Sequence, residues 1–467
     1  MAKYQKYAEY KDSGVEWLGE IPAKWKVLRY KNILKIMQGM AFKSSEYVDS
    51  SSVINIRMGN IKKGGSIDLN HNTKYLPENY KSIYRDYELR KGDTIIAMTD
   101  MSPTLDFLAV PAILDFLDAN STYLLNQRVG KLILNRDYEI RFVRYLLLSE
   151  NLRIQLKAKG LGTVQANMSN DDLYSSYLFC PPLVERLNIA NFLDHETAKI
   201  DHLIEKQQQL IELLKEKRQA VISHAVTKGL DPNVPMKDSG VEWLGEVPEH
   251  WEIIKFDYVI NSVGDIDHYM PNSVDSGIPY VMTGDLQDLV SKIDFESCKQ
   301  VAYNDYIKLS RKIKTSKDDI ILARYATIGT ISYVDIDAEF LVSYSCVTIK
   351  PNIKRTSGRY LFCYLKSQAF LQAIKMHINS NTQGNVGVDS LRNVKIVVPP
   401  LSEQNEIIHF LNEEVVKVDK LINKAESAIS LMQERRTALI SAAVTGKIDV
   451  RNWQAPTVAE AQTELSA

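Results

Sequence analysis

Two stretches of this chain, residues 184–226 and 402–444, carry apolar residues at alternating steps of four and three with no intervening proline or glycine. The first seam runs Ile189, Leu193, Glu196, Ile200, Leu203, Gln207, Leu210, Leu214, Lys217, Val221. The second runs Ile407, Leu411, Glu414, Val418, Leu421, Ala425, Ala428, Met432, Arg435, Leu439. A stripe that recurs every half-heptad over many turns predicts a long helix lying against another helix, because alone it would leave the stripe in water. Each helix would reach roughly 60 Å at 1.5 Å per residue.

The two seams are copies of one another. Pro181 onward reads PPLVERLNIANFLDHETAKIDHLI and Pro399 onward reads PPLSEQNEIIHFLNEEVVKVDKLI, an ungapped offset of 218 residues. A second duplicated block lies upstream of each insert: KDSGVEWLGEIP from Lys11 and KDSGVEWLGEVP from Lys237 agree at eleven of twelve positions. Polar residues interrupt both seams at equivalent places, Glu196 with Glu414 and Lys217 with Arg435. If the helices pair antiparallel about a pseudo-dyad, Glu196 meets Arg435 and Lys217 meets Glu414, residue numbers that add to 631 in both cases. A parallel pairing would set acid against acid. These four residues are therefore expected to fix the register.

Between the duplicated blocks, residues 26–160 and 252–378 diverge. Short apolar or alternating runs punctuate them: Val53–Ile56, Thr94–Met98, Lys131–Leu134, Tyr280–Met282, Ile320–Ala323, Thr330–Val334 and Val347–Ile349. Bounded by Gly, Asp, Asn and Ser, these read as strands and turns. Each insert closes on a helical segment, Glu139–Lys159 and Gly358–Met376. The fold class is thus α+β: two α+β domains joined and spaced by two long antiparallel coiled-coil helices, in an internal pseudo-two-fold repeat. The expected boundaries are 1–25, insert one at 26–160, a shared central region with its helix at 161–251, insert two at 252–378, a shared distal region at 379–450 and a flexible tail at 451–467. The block order also predicts a circular organisation. Lys11–Trp25 should pack near the end of the second helix as Lys237–Trp251 packs near the end of the first, with Trp17 and Trp243 in equivalent pockets.

Composition adds exclusions. With 467 residues, 45% hydrophobic and 25% charged, the chain is ordinary globular material. Its net charge of −1 and isoelectric point near 6.7 confine any polyanion site to a local patch. The four cysteines show no metal-finger spacing, which points to reduced thiols and a cytoplasmic protein, and a polar N-terminus argues against a signal peptide. No phosphate loop and no nucleophile elbow occur. Cys180-Pro-Pro-Leu and Val398-Pro-Pro-Leu lack the polar residue and the aromatic with which amino-group DNA methyltransferases hold a flipped base, so each diproline reads as a stop before a helix.

The layout as a whole resembles the specificity subunit of type I restriction-modification systems. The resemblance rests on the duplicated order of divergent domain, TVQANMSNDDL (from Thr163) or NTQGNVGVDSL (from Asn381), PPL block and long helix. It also rests on DSGVEWLGEIP, on GDTIIAMT from Gly92 and on DDIILARYATIG from Asp318. It implies a non-catalytic chain with two target-recognition domains, each reading half of a bipartite double-stranded DNA sequence, and helices that dock two methyltransferase subunits. Through these, motor and nuclease subunits would join. It further implies that S-adenosylmethionine, ATP and Mg belong to those partners, with no cofactor or metal in this chain. The equivalent subunit of a related type II system, or a coiled-coil scaffold that binds no DNA, are the alternative readings. Candidate DNA contacts are Lys43, Arg57, Asn60, Lys62, Lys63, Thr99 and Arg128 in the first insert, and Lys314, Arg324, Tyr325, Thr327, Ser343 and Tyr344 in the second, as Arg, Lys, Asn and Thr beside turns can reach phosphates or base edges. Gln165, Asn167, Gln383 and Asn385, shared between the halves, are expected to be structural or partner-facing.

Overall fold

A computed structural model of the chain describes residues 4–62, 64–102, 107–115, 117–159, 166–379 and 384–455. The chain divides into two compact units, residues 1–206 with 427–467, and residues 207–426. The long helices are Leu183–Lys228 and Leu401–Val444, and each gives one part of its length to each unit. None of the described helices is long and apolar enough to cross a membrane.

In the first unit, strands fall on the apolar runs. Val53–Ile56 pairs in parallel with Thr122–Leu125, while Thr94–Ala97 lies between Pro111–Ile113 and Val129–Leu134, both antiparallel. The closing helical segment is two helices, Ile140–Leu148 and Glu150–Ala158, with Ser149 between them. The break is held from the long helix, because the free amide of Glu150 donates to Ser441 Oγ at 2.9 Å. The same contact recurs in the second unit, where Gln368 N donates to Ser223 Oγ at 2.9 Å between Gly358–Leu365 and Gln368–Lys375. There the central sheet runs Ile260–Gly264, Cys346–Pro351, Ile320–Ala323, Ile331–Tyr333, all antiparallel.

The duplicated blocks build one buried node in each unit. Trp25, fully buried, donates its indole N–H to Glu185 Oε1 at 3.0 Å, and Tyr7 donates its hydroxyl to the same oxygen at 2.5 Å. In the second unit Trp251 donates to Glu403 Oε2 at 2.8 Å. Gly446 and Gly229, at φ +74 and +80, end the helices against these tryptophans, and a side chain at Gly446 would run into Pro22. The N-terminal segment accordingly closes onto the last turn of the second helix: Tyr10 donates to Gly446 O at 2.9 Å and Asp449 N to Gln5 O at 2.8 Å. The tryptophans at this node are Trp25 and Trp251; Trp243 is a partly buried neighbour, and the side chain of Trp17 lies outside the described residues.

The expected seam needs a correction, by one residue at alternate positions. Ile200, Ile204, Ile211 and Leu214 face inward, while Leu203 and Lys217 are exposed. A four-step after Ile200 thus replaces the three-step that the heptad reading chose. The ion pairs differ as well, and their residue sum is no longer the expected 631. Arg436 forks onto Asp201 at 2.8 and 3.2 Å, and Arg218 donates to Asp419 at 3.0 Å, residue numbers that add to 637 in both units. Lys217 makes neither contact, and Glu414 instead takes Lys417 of its own helix at 2.7 Å. Glu196 accepts from Tyr4 at 3.0 Å, and Arg435 is exposed. Burial and the Glu196 carboxylate push the Tyr4 hydroxyl up to about 12 against the opposing charge of Arg435. A double-mutant cycle on Asp201 and Arg436, read by urea unfolding, should return a coupling of about 0.5 kcal/mol, whereas one on Lys217 and Glu414 should return none.

Candidate nucleic-acid interface

In the second unit the helix Tyr303–Leu309 carries Lys308 in its last turn and leads into a loop carrying Arg311, Lys312, Lys314 and Lys317. Arg311, Lys312 and Lys314 wall an open groove of about 470 Å³ together with Ser262, Asp265 and Lys350. Aromatic rings lie among the charges. Lys308 Nζ stands 5.8 Å from the centre of the exposed Tyr269 ring, and Lys314 Nζ stands 5.8 Å from that of Tyr306. Contact with Tyr306 also raises the Lys314 ammonium above its ordinary range. Tyr306 itself is buried, and basic side chains beside the exposed rings of Tyr269 and Tyr303 suit a nucleic-acid backbone and its bases. Only Lys314 of this segment was singled out from sequence. The signal for the rest was five Lys or Arg residues within the ten positions from Lys308 to Lys317.

At the end of the groove the structure gathers candidates from distant positions. Arg324 is buried, and its Nη2 donates to Asp265 Oδ2 at 2.5 Å and lies 2.9 Å from His268 Nε2. The guanidinium covers Tyr325, 4.9 Å from the ring centre, and its Nε reaches Tyr344 O at 3.4 Å. Tyr344 in turn stacks on His268 with centroids 5.1 Å apart. Thr327 is exposed on the adjoining turn. Ser343 is buried, its hydroxyl paired with Ser345 Oγ at 2.8 Å, which corrects its expected role.

The first unit separates its candidates. Lys43 and Arg128 are exposed on loops that run side by side through a Met40–Asn126 bridge. Lys62 pairs with Asp68 at 3.3 Å, and Arg57 donates to Asn72 O at 2.6 Å. Two residues are used inside the fold and are corrected here. Asn60 is buried and ties its loop through Arg57 N and Asp68 O, at 2.9 and 3.0 Å. Thr99 is buried and donates to Asn167 Oδ1 at 3.0 Å, where Thr99–Asp100 pairs with Ala166–Asn167. Tyr325 and Asn385 form the matching bridge in the second unit, so Asn167 and Asn385 both serve the strand pairing. Lys63, Gln165 and Gln383 lie outside the described residues. The sequence reading also passed over exposed Lys81, Arg85, Arg90 and Lys91, near in sequence to Tyr80 and Tyr84, whose rings meet edge to face with centroids 4.9 Å apart.

Three of the thiols, Cys298, Cys346 and Cys363, are poor nucleophiles. Burial pushes Cys346 up to about 12 and Cys298 and Cys363 up to about 11.

Known proteins share this architecture. A family model described as the type I restriction modification DNA specificity domain matches residues 22–213 and again 248–429. The type I restriction enzyme EcoBI specificity subunit of Escherichia coli is 24% identical over 457 residues, covering 95% of this chain and 90% of its own. The MjaVIII specificity subunit of Methanocaldococcus jannaschii is 30% identical over 213 residues, 45% of this chain and 48% of its own. A solved chain described under "Structural basis underlying complex assembly and conformational transition of the type I R-M system" shares the fold, with a TM-score of 0.62 and 17% identity over 92% of this chain and 99% of that one.

Proposed function

The chain belongs to the family of type I restriction-modification DNA specificity subunits, and from that premise we propose that it reads a bipartite double-stranded DNA target, one half with each insert, for catalytic subunits that dock on its helices. The observation that carries this reading is a frame built twice around dissimilar inserts. The Trp–Glu node, the serine that caps the insert's last helix and the Asp–Arg pair recur in both units, while each insert offers its own basic and aromatic surface. In this proposal the helices form an antiparallel coiled coil about a pseudo-dyad, and the recognition domains are residues 26–160 and 252–378. Major grooves facing one side of a duplex recur every 34–36 Å or so, and stiff helices hold two readers at such a spacing. Lys43, Arg128, Lys314 and the basic segments beside Tyr80 and Tyr303 would bind phosphates, whose contacts position without specifying.

Exposed leucines give a place for the partners. The first unit exposes Leu203 at 51% and Leu431 at 64%, and the second exposes Leu421 at 49% and Leu213 at 62%, residues 218 apart in each case. The same apolar pair in each unit suits two copies of one partner, a methyltransferase subunit, with motor and nuclease subunits joining through it. S-adenosylmethionine, ATP and Mg would reside in those partners, leaving this chain non-catalytic. Native mass spectrometry of the assembled complex should show two methyltransferase subunits per chain, and Leu203→Glu with Leu431→Glu should reduce this to one. Saturation at one subunit with the unaltered chain would contradict the duplicated docking surface.

A further inference from the structure

Resting on the reading that the second insert binds DNA, we propose that Asp265 and Arg324 are positioning residues that hold His268 as an oriented hydrogen-bond donor to a major-groove acceptor in the second half of the target. Arg324 was expected to touch DNA, but its guanidinium is already committed. It is buried, it donates to Asp265 Oδ2 at 2.5 Å, it lies over Tyr325, and freeing it would strip its nearest partner from a largely buried carboxylate. An acidic residue in the wall of a basic groove calls for a reason, since it repels phosphate. Asp265 has one: Oδ2 takes Arg324 while Oδ1 takes Lys312 at 3.3 Å, so one carboxylate holds both a lysine of the groove and the arginine behind the histidine.

What remains exposed is the imidazole. His268 Nε2 lies 2.9 Å from Arg324 Nη2 and 3.3 Å from Asp265 Oδ2; the guanidinium, the nearer of the two, has hydrogens to give and no acceptor, so Nε2 accepts there and the ring hydrogen is assigned to Nδ1. Stacking on Tyr344, tilted by only 26°, fixes the plane of the ring, and 57% of the side chain is exposed. A planar donor held on two sides at the end of a basic groove fits the acceptors that base edges present in the major groove, purine N7, guanine O6 or thymine O4.

The test uses the chain with its methyltransferase partner and a panel of duplexes, each carrying one substitution in the target found for the unaltered complex. His268→Ala should lower discrimination at one base pair of the second half on the order of 10- to 100-fold. It should leave the first half and the salt dependence unchanged. His268→Asn, which keeps a donor near the Nδ1 position, should recover part of that loss. Asp265→Asn should show the same defect at the same base pair although it touches no DNA. Should Asp265→Asn fail to fold, the two His268 variants decide alone. Unchanged discrimination in His268→Ala, or an equal loss of affinity for every duplex, overturns the inference while leaving the DNA-reading proposal in place. An unaltered complex with no sequence preference at all overturns both.

Discussion

Glu185→Ala should cost the protein about 2–5 kcal/mol, because it strips the acceptor from two donors at once. The indole N–H of Trp25, in a side chain with no exposed surface, and the hydroxyl of Tyr7 both donate to Glu185 Oε1. Burial, with the hydrogen bond to Glu185, holds the Tyr7 hydroxyl far above its ordinary value, so it stays a donor with nowhere else to donate. Glu185→Gln keeps an acceptor oxygen and should cost much less. Glu403→Ala removes the partner of Trp251 and of His250, which is 45% exposed and can turn to water, so its effect should be smaller than that of Glu185→Ala. Urea unfolding of the three variants tests the ranking. A Glu185→Ala protein as stable as the parent would mean that the N-terminal segment does not depend on this node for its closure onto Gly446.

Replacing residues 26–160 by the corresponding insert of another family member should change one half of the recognised sequence completely and leave the other half and the spacing as they were. The exchange cuts outside the frame. The Glu185 node, the Ser441 cap and the Asp201–Arg436 pair all keep their long-helix members, while the transplanted insert carries its own loops. Each mismatched base pair typically costs about 1–3 kcal/mol, so a new half-site of several base pairs should exclude the old one by orders of magnitude. A target altered in both halves would show that the two readers are not independent.

The frame was legible because its signals are long or repeated. The long helices, the strand Ile320–Ala323 and the circular closure follow from periodicity and from blocks that occur twice. Alternate seam positions slipped by one residue because a leucine- and isoleucine-rich seam can be read with either a three- or a four-step after Ile200. Burial of Ile204 rather than Leu203 decides between them, and that depends on a helix more than two hundred residues away. Individual contacts were less legible. Asn60, Thr99 and Ser343 look like turn-side donors in sequence, yet each meets an internal partner. Arg324 finds Asp265 across 59 residues of chain, a pairing that no local pattern carries.

Mapping methylated adenines in DNA exposed to the chain together with its methyltransferase partner tests the central claim most directly. The account predicts one motif of two defined halves separated by a spacer of fixed length and free composition, absent when this chain is omitted and altered in one half when residues 26–160 are exchanged. Methylation without sequence preference, or a motif that stays the same whether or not this chain is present, would contradict it.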